Sequence, residues 1–164
     1  MQVRKILRDR SRNSNREVWE SPSVYGGEDV NKYLCPDEQE GAATELVGRA
    51  LSGRIVLPCF AWAEIASVLR KKIRSGLLTE GEAGQLYSAF GELPIDYVDG
   101  EDIRERAWEM ARMYGLLTLY DAVFLAVAER ERANYWTADT VFLKALVPKP
   151  SYVFVLDGEN ERDG

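Results

Sequence analysis

Residues 117–139 read LTLYDAVFLAVAERERANYWTAD. Thr118 opens the most apolar helical pattern of the chain, in which apolar residues fill positions 122–128. The pattern changes at residues 134–138, where a short run with two aromatic residues predicts a strand. A helix that leads directly into a short strand is typical of an α/β protein, in which the two kinds of element alternate.

The rest of the chain continues this alternation. Further short strands are predicted at residues 54–57, 95–98 and 152–156, and further helices begin near residues 36, 58, 79, 102 and 140. Pro58 is expected to open one helix, Gly76 to end it, and Thr79 with Glu82 to form a capping box for the next. The alternation implies a mostly parallel sheet covered on both faces, and such sheets bind ligands beyond the carboxyl ends of their strands.

The composition is that of an ordinary globular protein. The 164 residues correspond to one domain, 46% of them are hydrophobic, and no apolar run has the length of a membrane span. No secretory signal is visible in the first residues, which favours a cytoplasmic protein. Cys35 and Cys59 provide no disulfide framework, so we expect both to be buried thiols.

The sequence contains no histidine. It therefore lacks the commonest general base at neutral pH and the commonest metal ligand, which excludes Ser-His-Asp catalysis and zinc–histidine sites. Chemistry must come from carboxylates, hydroxyls or lysines, or from a hard metal ion such as Mg²⁺ or Mn²⁺ held by carboxylates.

Charge is distributed unevenly along the chain. Residues 1–16 contain six Arg and Lys against one acid, which is a charge of +5. Because the net charge of the whole sequence is −6, residues 17–164 carry a charge of −11. We expect a disordered basic tail at residues 1–16 and a single domain at residues 17–164. An acidic domain argues against duplex binding through a broad basic face, although a bound metal ion would neutralise an acidic cleft locally.

Glu64 is unusual because it is the only charged residue between positions 59 and 69. Its apolar neighbours place it on or beside the face of the helix that packs inward, where an unpaired carboxylate is costly. It therefore needs a cation, a hydrogen-bond partner or a metal ion. The alternative is a carboxylate at the helix edge that pairs with Arg or Lys.

Asp121 and Asp139 also lie close to predicted strand ends or helix starts. Asp121 could form a capping box with Thr118, and Asp139 could be only an N-cap. Thr137 could donate its hydroxyl to the same site or face solvent. Together with Glu64, however, the two aspartates form a set of acids that a divalent ion would hold together against their mutual repulsion. Two such ions can activate water and stabilise the leaving oxygen of a phosphodiester.

Three segments resemble a known family, the PIN domains of the VapC type. Residues 58–70, PCFAWAEIASVLR, resemble its E-(I/V)-x-x-x-L-R motif; residues 117–128 resemble L-T-x-Y-D-A-x-Y-L-A-L-A; and residues 136–139, WTAD, resemble T-x-D. The order and the intervals also match, and the resemblance covers about residues 30–157. It implies a three-layer PIN-like α/β fold, with a mostly parallel sheet flanked by helices.

The resemblance also implies an activity. Such proteins are Mg²⁺-dependent (or Mn²⁺-dependent) endoribonucleases, usually homodimeric toxins whose acidic site is blocked by a small antitoxin protein. Glu64, Asp121 and Asp139 would be metal-binding or catalytic acids, with Thr137 as an accessory polar residue. Water activated by the metal would attack the phosphodiester of the RNA substrate.

One part of the family pattern is missing. The family has an apolar strand that ends in an acid, and that acid position falls near Gly26. Residues 18–25 form no clean strand, because Pro22 interrupts a segment that would be central in the sheet. Asp29, which could also be an ordinary N-cap, and Glu28 are the nearest substitutes, and Glu20 is a more distant one. Alternatively the site is degenerate, or residues 1–29 do not belong to the natural fold.

Basic and aromatic residues allow further interpretations. Arg70, Lys71, Lys72 and Arg74 would end the Glu64 helix, where cations favour the helix dipole or would contact RNA phosphates. Trp62, Trp108 and Trp136 could stack on bases, but core packing is favoured for each. Two other functions stay open: a degenerate PIN-like domain that binds RNA or protein without cutting, and an unrelated α/β fold in which Asp121 and Asp139 are distant helix caps.

Overall fold

The computed structural model describes residues 22–26 and 53–155. The predicted basic tail at residues 1–16, the helix expected from residue 36, and the candidate residues Glu28, Asp29 and Cys35 lie outside these ranges. Every structural statement below concerns the described residues.

Five parallel strands form one sheet in the order β3-β2-β1-β4-β5. The strands are β1 Ser23–Tyr25, β2 Ile55–Pro58, β3 Ile95–Val98, β4 Asn134–Thr137 and β5 Val153–Val155. The helices between them are α1 Ala61–Arg74, α2 Glu80–Gly91, α3 Glu101–Tyr114, α4 Leu119–Glu131 and α5 Thr140–Ala145. The predicted α/β class and the parallel sheet flanked by helices are confirmed.

Several predicted boundaries are also confirmed. Helix α1 ends before Gly76, which adopts the left-handed conformation with φ of 76°. Thr79 and Glu82 form the predicted capping box at the start of α2. Strand β3 has the predicted bounds. These signals depend on local backbone geometry, which nearby side chains determine without tertiary contacts.

Pro58 does not open a helix as expected. It is the last residue of β2 and pairs with Val98 of β3, and α1 begins only at Ala61. The amide of Cys59 donates to the Val98 carbonyl at 2.9 Å, so the chain stays extended through Pro58. Because Pro58 stands at the end of the strand, its missing N–H costs the ladder little.

The expectation that residues 18–25 form no clean strand is wrong. Ser23–Tyr25 forms the central strand β1, which pairs with β2 on one side and β4 on the other. Pro22 lies just before this strand, and its carbonyl accepts the Asn134 amide at 2.8 Å. Because Pro22 precedes the strand and contributes only its carbonyl to the sheet, its missing N–H removes no hydrogen bond from β1. The presence of the central strand counts against the hypothesis that residues 1–29 lie outside the natural fold.

Helix α4 forms the middle of the core. Its buried residues are Ala122, Phe124, Leu125, Ala126, Val127 and Ala128. The Phe124 ring stacks on Tyr135 of β4, with 6.2 Å between centroids, so α4 covers the sheet face on which Tyr135 lies. Helix α3 packs along α4 from the other side.

Three side chains expected in the core lie elsewhere. Trp62 is 50% exposed and Trp108 is 60% exposed. Trp62 stands in the first turn of α1, about 100° around the helix from the buried Ala61 but only about 20° from the buried Leu69, so its exposure does not follow from its position on the helix face. Cys59 is also exposed. Trp136 is partly buried and stacks on Phe154, as core packing predicts.

Within the described ranges, no single helix is long and apolar enough to cross a membrane, and α3 with α4 meets that criterion only as a pair bent by 118°.

Candidate functional site

Glu64, Asp121 and Asp139 all lie toward the carboxyl edge of the sheet. Glu64 is in the first turn of α1, which follows β2, and Asp139 follows β4 directly. Asp121 is in the first turn of α4. The last turn of α4 leads into the start of β4, where the Ala133 amide donates to the Ala128 carbonyl, so the first turn of α4 points to the opposite, carboxyl edge.

Aromatic contacts join the first turns of α1 and α4. Phe60 precedes α1 and meets Tyr120 edge-on at 5.5 Å between centroids, and it meets Phe124 edge-on at 6.0 Å. Phe60 lies one helical turn before Glu64, and Tyr120 is the neighbour of Asp121. The two acids are therefore attached to elements that pack directly against each other.

The same aromatic chain continues to Asp139. Phe124 stacks on Tyr135 of β4, and Tyr135 meets Phe142 of α5 at 5.9 Å between centroids. Asp139 is the N-cap residue of α5. The structure thus brings together the elements that carry the three predicted acids, and the unrelated fold with distant helix caps finds no support.

The surroundings of Glu64 and Asp121 differ from those of Asp139. Both are half-buried, and each has an interaction partner. Thr118 is the N-cap residue of α4, but its side chain makes no capping hydrogen bond. The capping box of Thr118 with Asp121, which was the structural alternative for Asp121, is therefore not formed.

Asp139 combines a structural role with an exposed carboxylate. Its Oδ1 accepts the amides of Val141 and Phe142, both at 2.9 Å, so the N-cap interpretation is confirmed. Thr137 is 2% exposed, and its Oγ1 accepts the Asp139 amide at 3.1 Å. Thr137 therefore does not face solvent. It fixes the backbone at Asp139. Because both capping bonds go to Oδ1, the other oxygen, Oδ2, is left for a further ligand.

Gly26 stands at the carboxyl end of the central strand. It is buried, and its amide donates to the Trp136 carbonyl at 3.4 Å. The pairing of Tyr25 with Trp136 places Gly26 level with Thr137. Position 26 therefore contributes no side chain to the middle of this edge, and the predicted substitutes Asp29 and Glu28 lie outside the described residues.

These carboxylates suit a hard divalent ion in their chemistry but not in their spacing. Oxygen ligands are what Mg²⁺ and Mn²⁺ prefer, yet within residues 22–26 and 53–155 no three Asp, Glu or Cys side chains come together in a way that would hold a metal ion. A metal site at this edge needs a ligand beyond those the structure describes.

A further acid at the same edge is already paired. Asp99 follows β3, and its carboxylate accepts the Gly100 amide at 2.8 Å and the Nε of Arg104 at 3.2 Å. The hydrogen bonds from Arg104 and Gly100 hold the pKa of Asp99 below its ordinary value. Asp99 therefore serves the start of α3 and is not a candidate metal ligand.

The predicted RNA-contacting residues lie along α1, away from Glu64. Arg70 binds both carboxylate oxygens of Glu80, at 2.8 and 3.0 Å. Lys71 and Arg74 are exposed in the last turn and form no ion pair with any described residue. Arg74 is about 15 Å along the helix axis from Glu64. Lys71 and Arg74 are thus available to phosphates, whereas Arg70 is committed to a carboxylate.

The sequence interpretation missed Phe60 and Tyr120, which join the two acid-bearing turns. A signal for them was present, because an aromatic residue stands one turn before Glu64 and another stands immediately before Asp121. Neither position shows a hydrophobic period of its own, so only the packing of α1 against α4 gives them this role.

Five parallel strands with acids gathered at their carboxyl edge define a class of α/β proteins that carry their site on helix starts and strand ends. The model of the PIN domain family matches residues 30–146, more than two thirds of the sequence. The chain belongs to the PIN domain family. The matched region begins after β1, so Gly26 is outside it.

Solved structures share the fold at low sequence identity. A toxin–antitoxin complex from Klebsiella pneumoniae is 17% identical, with a TM-score of 0.57 over 82% of this chain and 98% of the other. VapBC2 from Rickettsia felis, bound to a DNA fragment from its promoter, is 14% identical, with a TM-score of 0.56 over 82% and 96%. FitAcB from Neisseria gonorrhoeae is 15% identical, with a TM-score of 0.58 over 85% and 99%. No curated protein matches the chain.

Proposed function

We propose that this chain is an endoribonuclease that depends on a divalent metal ion, Mg²⁺ or Mn²⁺, and that it is the toxin of a type II toxin–antitoxin pair. The observation that carries the proposal is the placement of Glu64, Asp121 and Asp139 at one edge of a PIN fold, on elements joined by the Phe60, Tyr120 and Phe124 rings. PIN domains are generally nucleases, and this family membership supports the same activity here.

Each residue has a proposed part. Asp121 and Asp139 are proposed as metal ligands, and Glu64 as a ligand or as the group that orients water. Thr137 is a positioning residue, because its hydroxyl holds the Asp139 amide. Asp29 is proposed as an additional ligand, because the described acids form no group of three that could hold a metal ion. A bound divalent ion supplies charge neutralisation and an activated water.

The partners follow from the same likeness. One similar structure is a toxin–antitoxin complex and another contains promoter DNA. We propose an antitoxin protein that covers the acidic edge, a homodimer of this chain, an RNA substrate and a cytoplasmic setting. Lys71 and Arg74 are proposed to contact RNA phosphates from the far end of α1, while Arg70 would first have to release Glu80.

A second candidate function is a PIN-like module that binds RNA or protein without cutting. Two observations favour it: Gly26 leaves the end of the central strand without a carboxylate, and the described acids do not converge into a metal group. If the chain is such a binding module, it should bind RNA without strand scission at any metal concentration.

Cleavage of a structured RNA by the full chain separates the two candidates. The reaction is run with Mg²⁺ or Mn²⁺, with EDTA, and with the variants Asp121→Asn, Asp29→Asn and Glu105→Gln. Glu105 is an exposed acid on α3 that forms no ion pair or side-chain hydrogen bond with any residue the structure describes, so Glu105→Gln is the matched control. The proposal expects metal-dependent cleavage that both aspartate variants lose and the control keeps.

Other results have definite meanings. Cleavage that survives Asp29→Asn but not Asp121→Asn keeps the nuclease and removes Asp29 from the site. If a folded chain binds RNA but leaves several RNA substrates intact, the binding module replaces the nuclease as the proposed function.

A further inference from the structure

The carboxyl end of β1 occupies the middle of the candidate site. Strand β1 lies between β2, which leads to Glu64, and β4, which leads to Asp139. Helix α4, whose first turn carries Asp121, packs against all three strands. A side chain at the end of β1 would therefore lie between the strands that lead to Glu64 and Asp139, and on the side of the sheet covered by the helix that carries Asp121. The residue at that point is Gly26.

Strand register gives the direction that such a side chain would take. Alternate residues of a strand point to the same face, so position 26 shares the face of Val24. Val24 pairs with Tyr135, and Tyr135 stacks on Phe124 of α4. A side chain at position 26 would thus extend toward α4, level with Thr137.

Among the described residues, the middle of this edge provides no carboxylate ligand for a metal ion. Asp139 uses Oδ1 to cap α5, so Oδ2 is the oxygen that makes no capping bond. The described acids form no group of three that could hold a metal ion. Affinity for hard divalent ions rises with the number of charged oxygen ligands, so a carboxylate in the middle would have a large effect.

We infer that Gly26 is the position that limits metal binding at the carboxyl edge: the wild-type chain holds a divalent ion loosely, and a carboxylate at position 26 would draw Asp121 and Asp139 into one tight site. The inference rests on the proposed function, since it concerns the metal on which that function depends. It differs from that function because it concerns binding and not cleavage.

The test is a titration of the full chain with Mn²⁺, in which the electron paramagnetic resonance signal measures the concentration of the free ion. Wild type is compared with Gly26→Asp and with Gly26→Asn, which has nearly the same size and no charge. Gly26→Asp is expected to bind Mn²⁺ at least about tenfold more tightly than wild type, whereas Gly26→Asn is not. Adding Asp121→Asn to Gly26→Asp should remove the gain. Equal affinities of the Asp and Asn variants, both folded by thermal unfolding, would overturn the inference.

A second measurement applies even if substitution at the buried position 26 prevents folding. The wild-type chain should bind Mn²⁺ more weakly than about 0.1 mM. Tighter wild-type binding that is lost in Asp121→Asn or Asp29→Asn would show a complete site without position 26, and the inference would be wrong. If Gly26→Asp binds Mn²⁺ tightly but neither chain cleaves RNA, the proposed nuclease fails while this inference stands.

Discussion

The ring of Phe60 meets the ring of Tyr120 edge-on, with 5.5 Å between the centroids. Phe60 precedes α1 and Tyr120 lies in the first turn of α4, so this contact sets how the starts of the two helices approach each other. Glu64 and Asp121 are distant in sequence. Their relative placement therefore depends on aromatic packing and not on the chain between them.

Replacement of Phe60 by alanine should loosen this junction. We expect Phe60→Ala to lower the free energy of unfolding by about 2 kcal/mol, below the usual cost for a buried ring because Phe60 is only half-buried. RNA cleavage, or metal binding where cleavage is absent, should fall more than stability explains. Urea denaturation and the Mn²⁺ titration measure the two effects.

Trp62 provides the matched control for Phe60. It is an aromatic residue two positions away, but 50% exposed on another side of α1. Trp62→Ala should change the free energy of unfolding by less than about 1 kcal/mol and leave metal binding unchanged. Similar losses from Phe60→Ala and Trp62→Ala would show that the ring contact with Tyr120 has no special role.

Substitutions at Asp139 can separate its role as the N-cap of α5 from the role of its carboxylate charge. Asn is as good an N-cap residue as Asp, whereas Ala costs about 1 kcal/mol of stability. We therefore expect Asp139→Asn to keep the wild-type urea midpoint and Asp139→Ala to lower it. If the carboxylate binds metal through Oδ2, both variants should lose metal-dependent activity. An Asn variant with full activity would restrict Asp139 to capping α5.

Thr137 is expected to act through Asp139. Thr137→Val removes the acceptor for the Asp139 amide and should cost about 1–2 kcal/mol, because that amide is left without its partner. Thr137→Ser loses a buried methyl group and costs a similar amount. A positioning role predicts that only the Val variant also weakens Mn²⁺ binding. Equal Mn²⁺ affinities of the Val and Ser variants would reduce Thr137 to a packing residue.

Much of the fold was predictable because its signals are local. The capping box of Thr79 with Glu82 and the glycine stop at Gly76 are each complete within a few residues. Strand β1 was missed because its three residues, Ser23–Tyr25, are too few to show a period and follow a proline. The sheet partners β2 and β4 hold this strand in place, and no local signal carries that information.

The site was predictable in part for the same reason. Sequence alone places Glu64, Asp121 and Asp139 near strand ends, and the structure confirms that their elements meet. It could not show that Thr118 makes no capping bond or that Asp139 spends one oxygen on α5, because each outcome depends on side-chain geometry. The exposure of Trp108 follows from its position on α3, away from the buried Ile103, Ala107 and Met110, whereas Trp62 is exposed although it lies beside the buried face of α1.

Glu82 gives a prediction about acid stability. Its carboxylate accepts the backbone amide and the hydroxyl of Thr79, both at 2.8 Å, and these bonds hold the pKa of Glu82 below its ordinary value of 4.5. A carboxylate with a lowered pKa in the folded state stabilises the fold above the unfolded value, and that contribution is lost as the pH falls through the folded value. Stability from this residue is therefore present at neutral pH and disappears in acid.

The variant Glu82→Gln tests whether the contribution of Glu82 to stability is lost as the pH falls. Glutamine can still form a capping box, so the variant removes the charge and keeps the shape. We expect a lower urea midpoint than wild type at about pH 7, and a difference that shrinks as the pH falls through the folded-state pKa of Glu82. Glu105→Gln, on the exposed face of α3, should show no such convergence. A difference between wild type and Glu82→Gln that persists unchanged into acid would mean that the carboxylate charge does not stabilise the start of α2.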